Sequence, residues 1–315
     1  MRAAYYLGDE VIEVRDADTA QPSAGEVQVA VHFTGICGTD LHVLHGNMDH
    51  RVTRPGVIGH EMSGRISALG DGVEGWSVGD AVTVMPLSWC GHCPACAAGN
   101  EHICQNLNFI GIDSTGSMQN VWNVPADTLV RLPDRLSLQH AALVEPTAVA
   151  VHDVARAELS DGDAAVVVGG GPVGLLIAVV ARAAGARVLL AEVDSFRRSV
   201  AADAGFEVCD PSAIDLAAHV EHWTDGAGAA VAFEVSGSQP GLTSAMASLA
   251  VRGRLVVVGI HSAAREMDLH RIFWRELSIV GARVYRREDF EQAVHLLADG
   301  VVPTELLISA VEPLD

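Results

Sequence analysis

Cys90, Cys93, Cys96 and Cys104 place four of the chain's six cysteines within fifteen residues, in the pattern C-x2-C-x2-C-x7-C. Four soft thiolates offered by one short loop suit a tetrahedral ion with every position filled by protein, which is how structural zinc is held. A lobe of that kind leaves no open position for chemistry. Two other readings compete. A disulfide framework fits poorly with six cysteines spread over 315 residues, and Met1-Arg2-Ala3-Ala4 does not read as a signal peptide. A ferredoxin-like iron–sulfur cluster uses C-x2-C-x2-C-x3-C-P, whereas here the last gap is seven residues and Gln105-Asn106 follows Cys104. Cys209 reads as a partly buried thiol acting as a small hydrophobe.

The length exceeds the usual limit of one hydrophobic core, and 49% hydrophobic content supplies enough apolar surface for two domains. Forty carboxylates against twenty arginines, with no lysine, give a formal charge of −20. That balance excludes nucleic acid as an expected partner, because phosphate binding needs clustered cations. Ala164 to Ala181 runs eighteen residues without a charge, the length of a membrane span. Its middle, Gly169-Gly170-Gly171-Pro172, would break a spanning helix and divides the run into a strand, Ala164–Val168, and a helix opening near Pro172. No membrane partner is expected, and free thiols without a targeting signal point to the cytoplasm.

The first 150 residues carry short β-type runs broken by glycine and proline, such as Val27–Val31, Asp80–Val84 and Val121–Val124, and predict a β-barrel-like domain. From about Leu159 the texture changes to buried strands alternating with helices. Strands are expected at Ala164–Val168, Arg187–Glu192, Glu207–Cys209, Ala230–Val235, Arg254–Val258 and Ser278–Val280. Helices are expected at Val173–Ala184, Phe196–Ala204, Ala213–His222 and Leu242–Ala250, an order that fits a doubly wound parallel sheet.

A G-x-G-x-x-G motif is weak alone, but here it follows a strand, opens a helix, and is succeeded by an acid, Glu192, eighteen positions beyond Gly174. Gly169 permits the turn, Gly171 lets a pyrophosphate approach the helix start at Pro172-Val173, and Gly174 lets helix and strand pack closely. Glu192 would accept from the adenosine ribose hydroxyls and repel a 2′-phosphate, which favours NAD over NADP. Asp194 competes for that role, and Arg197 and Arg198 keep the phosphorylated cofactor open as an alternative.

Upstream, Cys37-Gly38-Thr39-Asp40-Leu41-His42 and Gly59-His60-Glu61 bring a thiol, a hydroxyl, carboxylates and imidazoles into two short segments. With Gly35-Ile36-Cys37-Gly38-Thr39-Asp40, the cysteine lobe, Glu145-Pro146 and the glycine fingerprint in this order, the chain resembles the zinc-dependent medium-chain dehydrogenase/reductase family over almost its whole length. The resemblance implies an α/β protein, with a GroES-like β-barrel catalytic domain (1–150 and 283–315) and a Rossmann NAD(P)-binding domain (151–282). It also implies an active site in the cleft between them.

The same resemblance implies roles for individual residues. Cys37 and His60 are catalytic zinc ligands, with Glu61 or Glu145 as the remaining protein ligand, as in polyol and threonine dehydrogenases. Cys90, Cys93, Cys96 and Cys104 hold a second, structural zinc, giving two ions per chain. Asp40 orients His60. Thr39 contacts the substrate oxygen, and the proton passes through the cofactor ribose to His42 and on to solvent. Val235–Gly237 and Val258–Ile260, with Gly259 at their centre, line the nicotinamide side. The expected activity is hydride transfer between a secondary alcohol (polyol, sugar alcohol or threonine-like) and NAD, in a homodimer or homotetramer. A carbonyl reductase using NADPH and a non-catalytic zinc-bearing binding protein are the alternatives. Family members continue beyond the helix expected at Asp289–Ala293, so the C-terminal part of the catalytic domain reads as truncated at Glu312-Pro313-Leu314-Asp315.

Overall fold

Short strands build the first unit: β1 (Arg2–Gly8), β2 (Val11–Asp16), β3 (Glu26–Thr34), β4 (Gly56–Val57), β5 (Met62–Leu69), β6 (Ala81–Val84), β7 (Leu87–Ser88), β8 (Asn108–Phe109), β9 (Val121–Pro125) and β10 (Leu129–Arg131). The computed structural model describes residues 1–314. The strands pair as three antiparallel sheets, in the orders β2-β1-β4, β10-β6-β5-β3-β9 and β7-β8. Period-two alternation decides the five-stranded sheet: Val27 and Val29, Val82 and Val84, and Trp122 and Val124 point to one face and share a core with Met62, Ile66 and Leu129. A second core under β1 joins Ala4, Tyr6, Val57, Ile58, Ile112 and Met118 to Val43 of helix α1 (Gly38–Leu44). Burying Val43 completely is worth ~1.5–3 kcal/mol and fixes which face of α1 turns inward. Three further helices follow in the chain: α2 (Pro94–Ala97), α3 (Leu138–Ala141) and α4 (Val144–Ala157).

The second unit is a six-stranded parallel sheet of β11 (Ala164–Val168), β12 (Arg187–Ala191), β13 (Glu207–Cys209), β14 (Ala229–Glu234), β15 (Leu249–Val257) and β16 (Ser278–Gly281). Its order, β13-β12-β11-β14-β15-β16, is the doubly wound order, with the switch of direction between β11 and β14. Between the strands run α5 (Pro172–Ala183), α6 (Ser195–Asp203), α7 (Leu216–Trp223), α8 (Gln239–Ala247) and α9 (Leu269–Arg275). Val166, Val168, Leu189, Ala191 and Leu255 pack with Leu216, Val220, Leu242 and Met246 in its core.

Side-chain caps set several helix starts away from the expected positions. Asp215 accepts the Ala217 and Ala218 N–H groups, so α7 opens later than Ala213, and Ser238 accepts the Gly241 N–H, so α8 opens before Leu242. The chain then enters β15 at Leu249, inside the stretch expected to be helical. Helix α9 has no counterpart among the expected helices, since none of its residues is fully buried and its hydrophobic contact with the core comes from the half-buried Ile272.

The remaining helices are α10 (Arg287–Ala298) and α11 (Thr304–Leu307). The first unit comprises Met1–Glu145, Arg286–Gly300 and the stretch from Ile308, and the second Pro146–Tyr285 and Val301–Leu307. Among the described residues, no helix is long and apolar enough to cross a membrane.

Candidate metal centres and nucleotide cradle

Two segments of the first unit converge on one largely buried cluster. Cys37 precedes α1, His60 and Glu61 lie just before β5, and one ligand atom from each falls within 4.8 Å of the others. Asp40 shares the inner face of α1 with Val43 and does two things at once. Its Oδ2 accepts the Cys37 N–H at 2.9 Å, and its Oδ1 faces His60 Nδ1 at 3.7 Å. Neither that Oδ1 nor that Nδ1 has a hydrogen-bond partner, although both residues are almost wholly buried.

The electrostatics follow from burial. Burial, then the charges of Glu61 and Glu145, pushes the Cys37 thiol well up, while the Thr39 N–H and hydroxyl hydrogen-bond its sulfur. Burial also raises Asp40 to about 7 and lowers His60 to about 4. Glu61 is held well above the ordinary carboxylate range by burial first, then by Glu145 and Asp40. The charges acting on this sulfur and this carboxylate are thus other carboxylates, and a buried set of that kind is satisfied by a cation. Sulfur, a neutral imidazole and a carboxylate fit zinc by donor type. Glu145, buried in the first turn of α4, acts on the cluster through its charge but stands outside the three-atom group.

Two neighbours of this cluster escaped the sequence reading. The Phe109 ring meets the His60 ring edge-on, with centroids 5.1 Å apart, and so fixes the imidazole plane. Gly35 donates its N–H to the Glu61 carbonyl at 2.6 Å, and a Cβ there would collide with Glu61 Oε2. The G-I-C-G-T-D run holds the only signal that points to Gly35, and nothing local marks Phe109.

The four-cysteine lobe has another geometry. Cys93–Cys96 and Cys90–Cys104 sulfurs are 3.5 Å apart and Cys93–Cys104 3.7 Å, so all six cysteines are free thiols. A disulfide needs ~2.05 Å, whereas a tetrahedron with metal–sulfur bonds of ~2.3 Å has edges of ~3.8 Å. One ion fits that spacing. The Cys90 and Asn106 N–H groups point at the Cys104 sulfur, and N–H groups led by that of His92 hold Cys90 down at about 6, whereas burial pushes Cys96 up to about 12.

In the second unit the three fingerprint glycines separate by role. Gly169 has φ +108°, a turn that side chains resist, and a Cβ on Gly174 would collide with the Gly169 carbonyl oxygen. A Cβ on Gly171, which caps α5, would meet only Arg197 Nη1 at 3.9 Å, leaving a cradle at the start of the helix where Pro172 and Val173 follow. Glu192 is buried beside it, with Oε2 accepting from Gly170 N–H at 2.6 Å and Oε1 from Asp194 N–H at 2.8 Å. Asp194 itself caps α6 by accepting the Arg197 N–H, and Arg198 pairs with Asp210 at 3.1 Å. Val235 and Gly259 follow the ends of β14 and β15.

A doubly wound sheet with a glycine cradle at a helix start, in one chain with a mixed-donor cluster suited to a metal, has the make-up of a metal-assisted, dinucleotide-dependent oxidoreductase. Residues 23–134 match the alcohol dehydrogenase GroES-like domain, and residues 172–299 match the zinc-binding dehydrogenase domain. The chain is 49% identical to 2-dehydro-3-deoxy-L-galactonate 5-dehydrogenase of Pseudoalteromonas atlantica, over 100% of this chain and 92% of that one. It is 33% identical to sorbitol dehydrogenase of Halalkalibacterium halodurans, over 94% of this chain and 87% of the relative. An alcohol dehydrogenase from E. coli, solved with NADH, superposes with a TM-score of 0.89 at 28% identity, covering 97% of this chain and 90% of that one. The chain belongs to the zinc-dependent medium-chain dehydrogenase/reductase family. It is an oxidoreductase of the alcohol dehydrogenase type that works with zinc, a nicotinamide cofactor and a small-molecule substrate.

Proposed function

We propose that the chain oxidises a secondary hydroxyl of a sugar acid or polyol with NAD, using one zinc at Cys37, His60 and Glu61 and a second at Cys90, Cys93, Cys96 and Cys104. The observation that carries this reading is the buried sulfur, imidazole and carboxylate group within 4.8 Å, pressed further by the charge of Glu145. When bound, zinc supplies Lewis acidity toward the alcohol oxygen, and NAD supplies the hydride acceptor.

The chain's own groups do the rest. Asp40 orients the His60 ring from one side, and Phe109 limits its tilt from another. Thr39, bonded to the Cys37 sulfur, presents a hydroxyl that takes the substrate proton, and His42 lies three residues further along α1 on the solvent side. The i,i+3 spacing puts both on adjoining turns of one face, so Thr39 and His42 would mark the inner and outer ends of a short proton route to solvent. Glu145, whose charge acts on both Cys37 and Glu61, would be the alternative carboxylate ligand to Glu61.

Glu192 supports NAD over NADP. Its buried carboxylate, held by two backbone N–H groups beside Gly171, would repel a 2′-phosphate, while Arg197 near the same glycine is free to face the pyrophosphate. The substrate class rests on the full-length likeness to an enzyme named for 2-dehydro-3-deoxy-L-galactonate, together with the sorbitol dehydrogenase likeness. A homodimer or homotetramer belongs to the same reading: β16 is the open edge of the sheet, and Leu269, Phe273 and Trp274 of α9, which packs against β15, are exposed. The test is a screen of 2-keto-3-deoxy hexonates, polyols, threonine and simple alcohols with NAD and NADP, following absorbance of the reduced cofactor. NAD-dependent oxidation of a sugar acid or polyol is expected. Turnover confined to NADPH and carbonyls would reject this reading.

A further inference from the structure

Glu234 ends β14 with no solvent exposure, and both its carboxylate oxygens are engaged: Oε1 accepts the Ser236 hydroxyl at 2.5 Å, and Oε2 meets His261 Nε2 at 2.9 Å. On the far side of the ring, Arg265 Nε lies 3.3 Å from His261 Nδ1. A guanidinium can only donate, so Nδ1 accepts and the ring proton resides on Nε2, donated to Glu234. The buried carboxylate is therefore linked to a surface-side guanidinium through a neutral imidazole of fixed tautomer.

The same residues join two irregular segments. Val258 and Gly259 N–H groups both donate to the Glu234 carbonyl oxygen, at 2.9 and 2.8 Å. Arg265 Nη2 reaches the Gly237 carbonyl at 3.2 Å, and Gln239 and Glu266 exchange two 2.9 Å bonds. A Cβ on Gly259 would stand 2.5 Å from Gly237 N and 2.9 Å from Glu234 Oε2, so the segments approach as closely as backbones allow. Residues 259–266 have no helix or strand of their own, and these bonds tie them to the loop between β14 and α8.

We infer that Glu234, His261 and Arg265 are positioning residues that lock the loops at the ends of β14 and β15 into one rigid lip for the nicotinamide half of the cofactor. The lip lies at the carboxyl ends of the strands next to the β11/β14 switch, where a doubly wound sheet receives its ligand, and the inference rests on the dinucleotide reading above. The adenosine half is held elsewhere, by Gly171 and Glu192, so the two halves of the cofactor can be tested apart.

The experiment compares NADH with ADP-ribose, which lacks the nicotinamide, by titration calorimetry on the zinc-loaded full chain. His261→Ala removes a bond to a buried charge, and NADH should bind ~10–100-fold more weakly while ADP-ribose changes less than ~2-fold. His261→Gln keeps a donor and an acceptor on one side chain and should restore NADH affinity to within ~3-fold. Arg265→Leu, a milder change at the outer end, should show the same split at ~3–10-fold and serves if His261→Ala does not fold. Parallel loss of NADH and ADP-ribose, or loss of neither, in either variant overturns the lip while leaving the dehydrogenase reading intact. A wild-type chain that binds neither molecule overturns both.

Discussion

The two cysteine-bearing centres are built on opposite plans. The lobe takes all four donors from one loop, Cys90 to Cys104, whereas the mixed cluster gathers Cys37, His60 and Glu61 from segments separated in sequence, with Glu145 a further stretch away. The lobe offers only sulfur at tetrahedral spacing, and backbone N–H groups lower two of its thiols, Cys90 and Cys93, while burial raises Cys96. The cluster is dominated by burial, which favours protonated sulfur and carboxyl until a cation arrives. Contiguity with full ligation suits a fixed staple. Assembly from separate segments, with three donors, suits the substrate-binding ion of the proposed reading.

The largest test of this contrast is Cys37→Ser. Turnover should fall by at least ~10³-fold with the Lewis acid lost, while NADH affinity and the lobe's zinc content stay unchanged, as read by steady-state kinetics, calorimetry and metal analysis. Equal loss of turnover and NADH binding would count against the assigned role. Asp40→Asn comes next, at ~10–100-fold in zinc affinity of the mixed cluster or in turnover, because it alters the partner of a ligand and not the ligand itself. Cys93→Ser should do the converse, lowering Tm by ~10 °C in thermal melts while the activity of the molecules still folded is kept. A Cys93→Ser protein with normal Tm and no turnover would erase the distinction between staple and reaction centre. The smallest effect is expected for Gly35→Ala, whose added methyl meets the Glu61 carboxylate and costs ~1–3 kcal/mol. Chelator titration should show the mixed cluster releasing its metal more readily and the lobe unaffected.

Legibility in the sequence divides along the same line. The lobe was legible because spacing within one loop is a local property, and the parallel sheet because each of its strands is a short apolar run between helical stretches. The mixed cluster was legible only as a set of motifs in order. Its choice between Glu61 and Glu145 depends on approach in space, and the structure brings Glu61, Cys37 and His60 within 4.8 Å of one another. The sequence favours Glu192 over Asp194 for the ribose without excluding the latter, and in the structure Glu192 is buried beside the cradle while Asp194 caps α6. Phe109, His261 and Arg265 could not be found, because each acts on a residue that the chain brings near only after folding.

The two oxygens of Asp40 have one more implication. One closes the first turn of α1 on the Cys37 amide, and the other faces the imidazole of His60. Fraying of that turn would therefore slacken the ring and the sulfur together. The helix start works as a latch, so local opening, readable by amide hydrogen exchange at Cys37, and loss of the reactive geometry should be a single event.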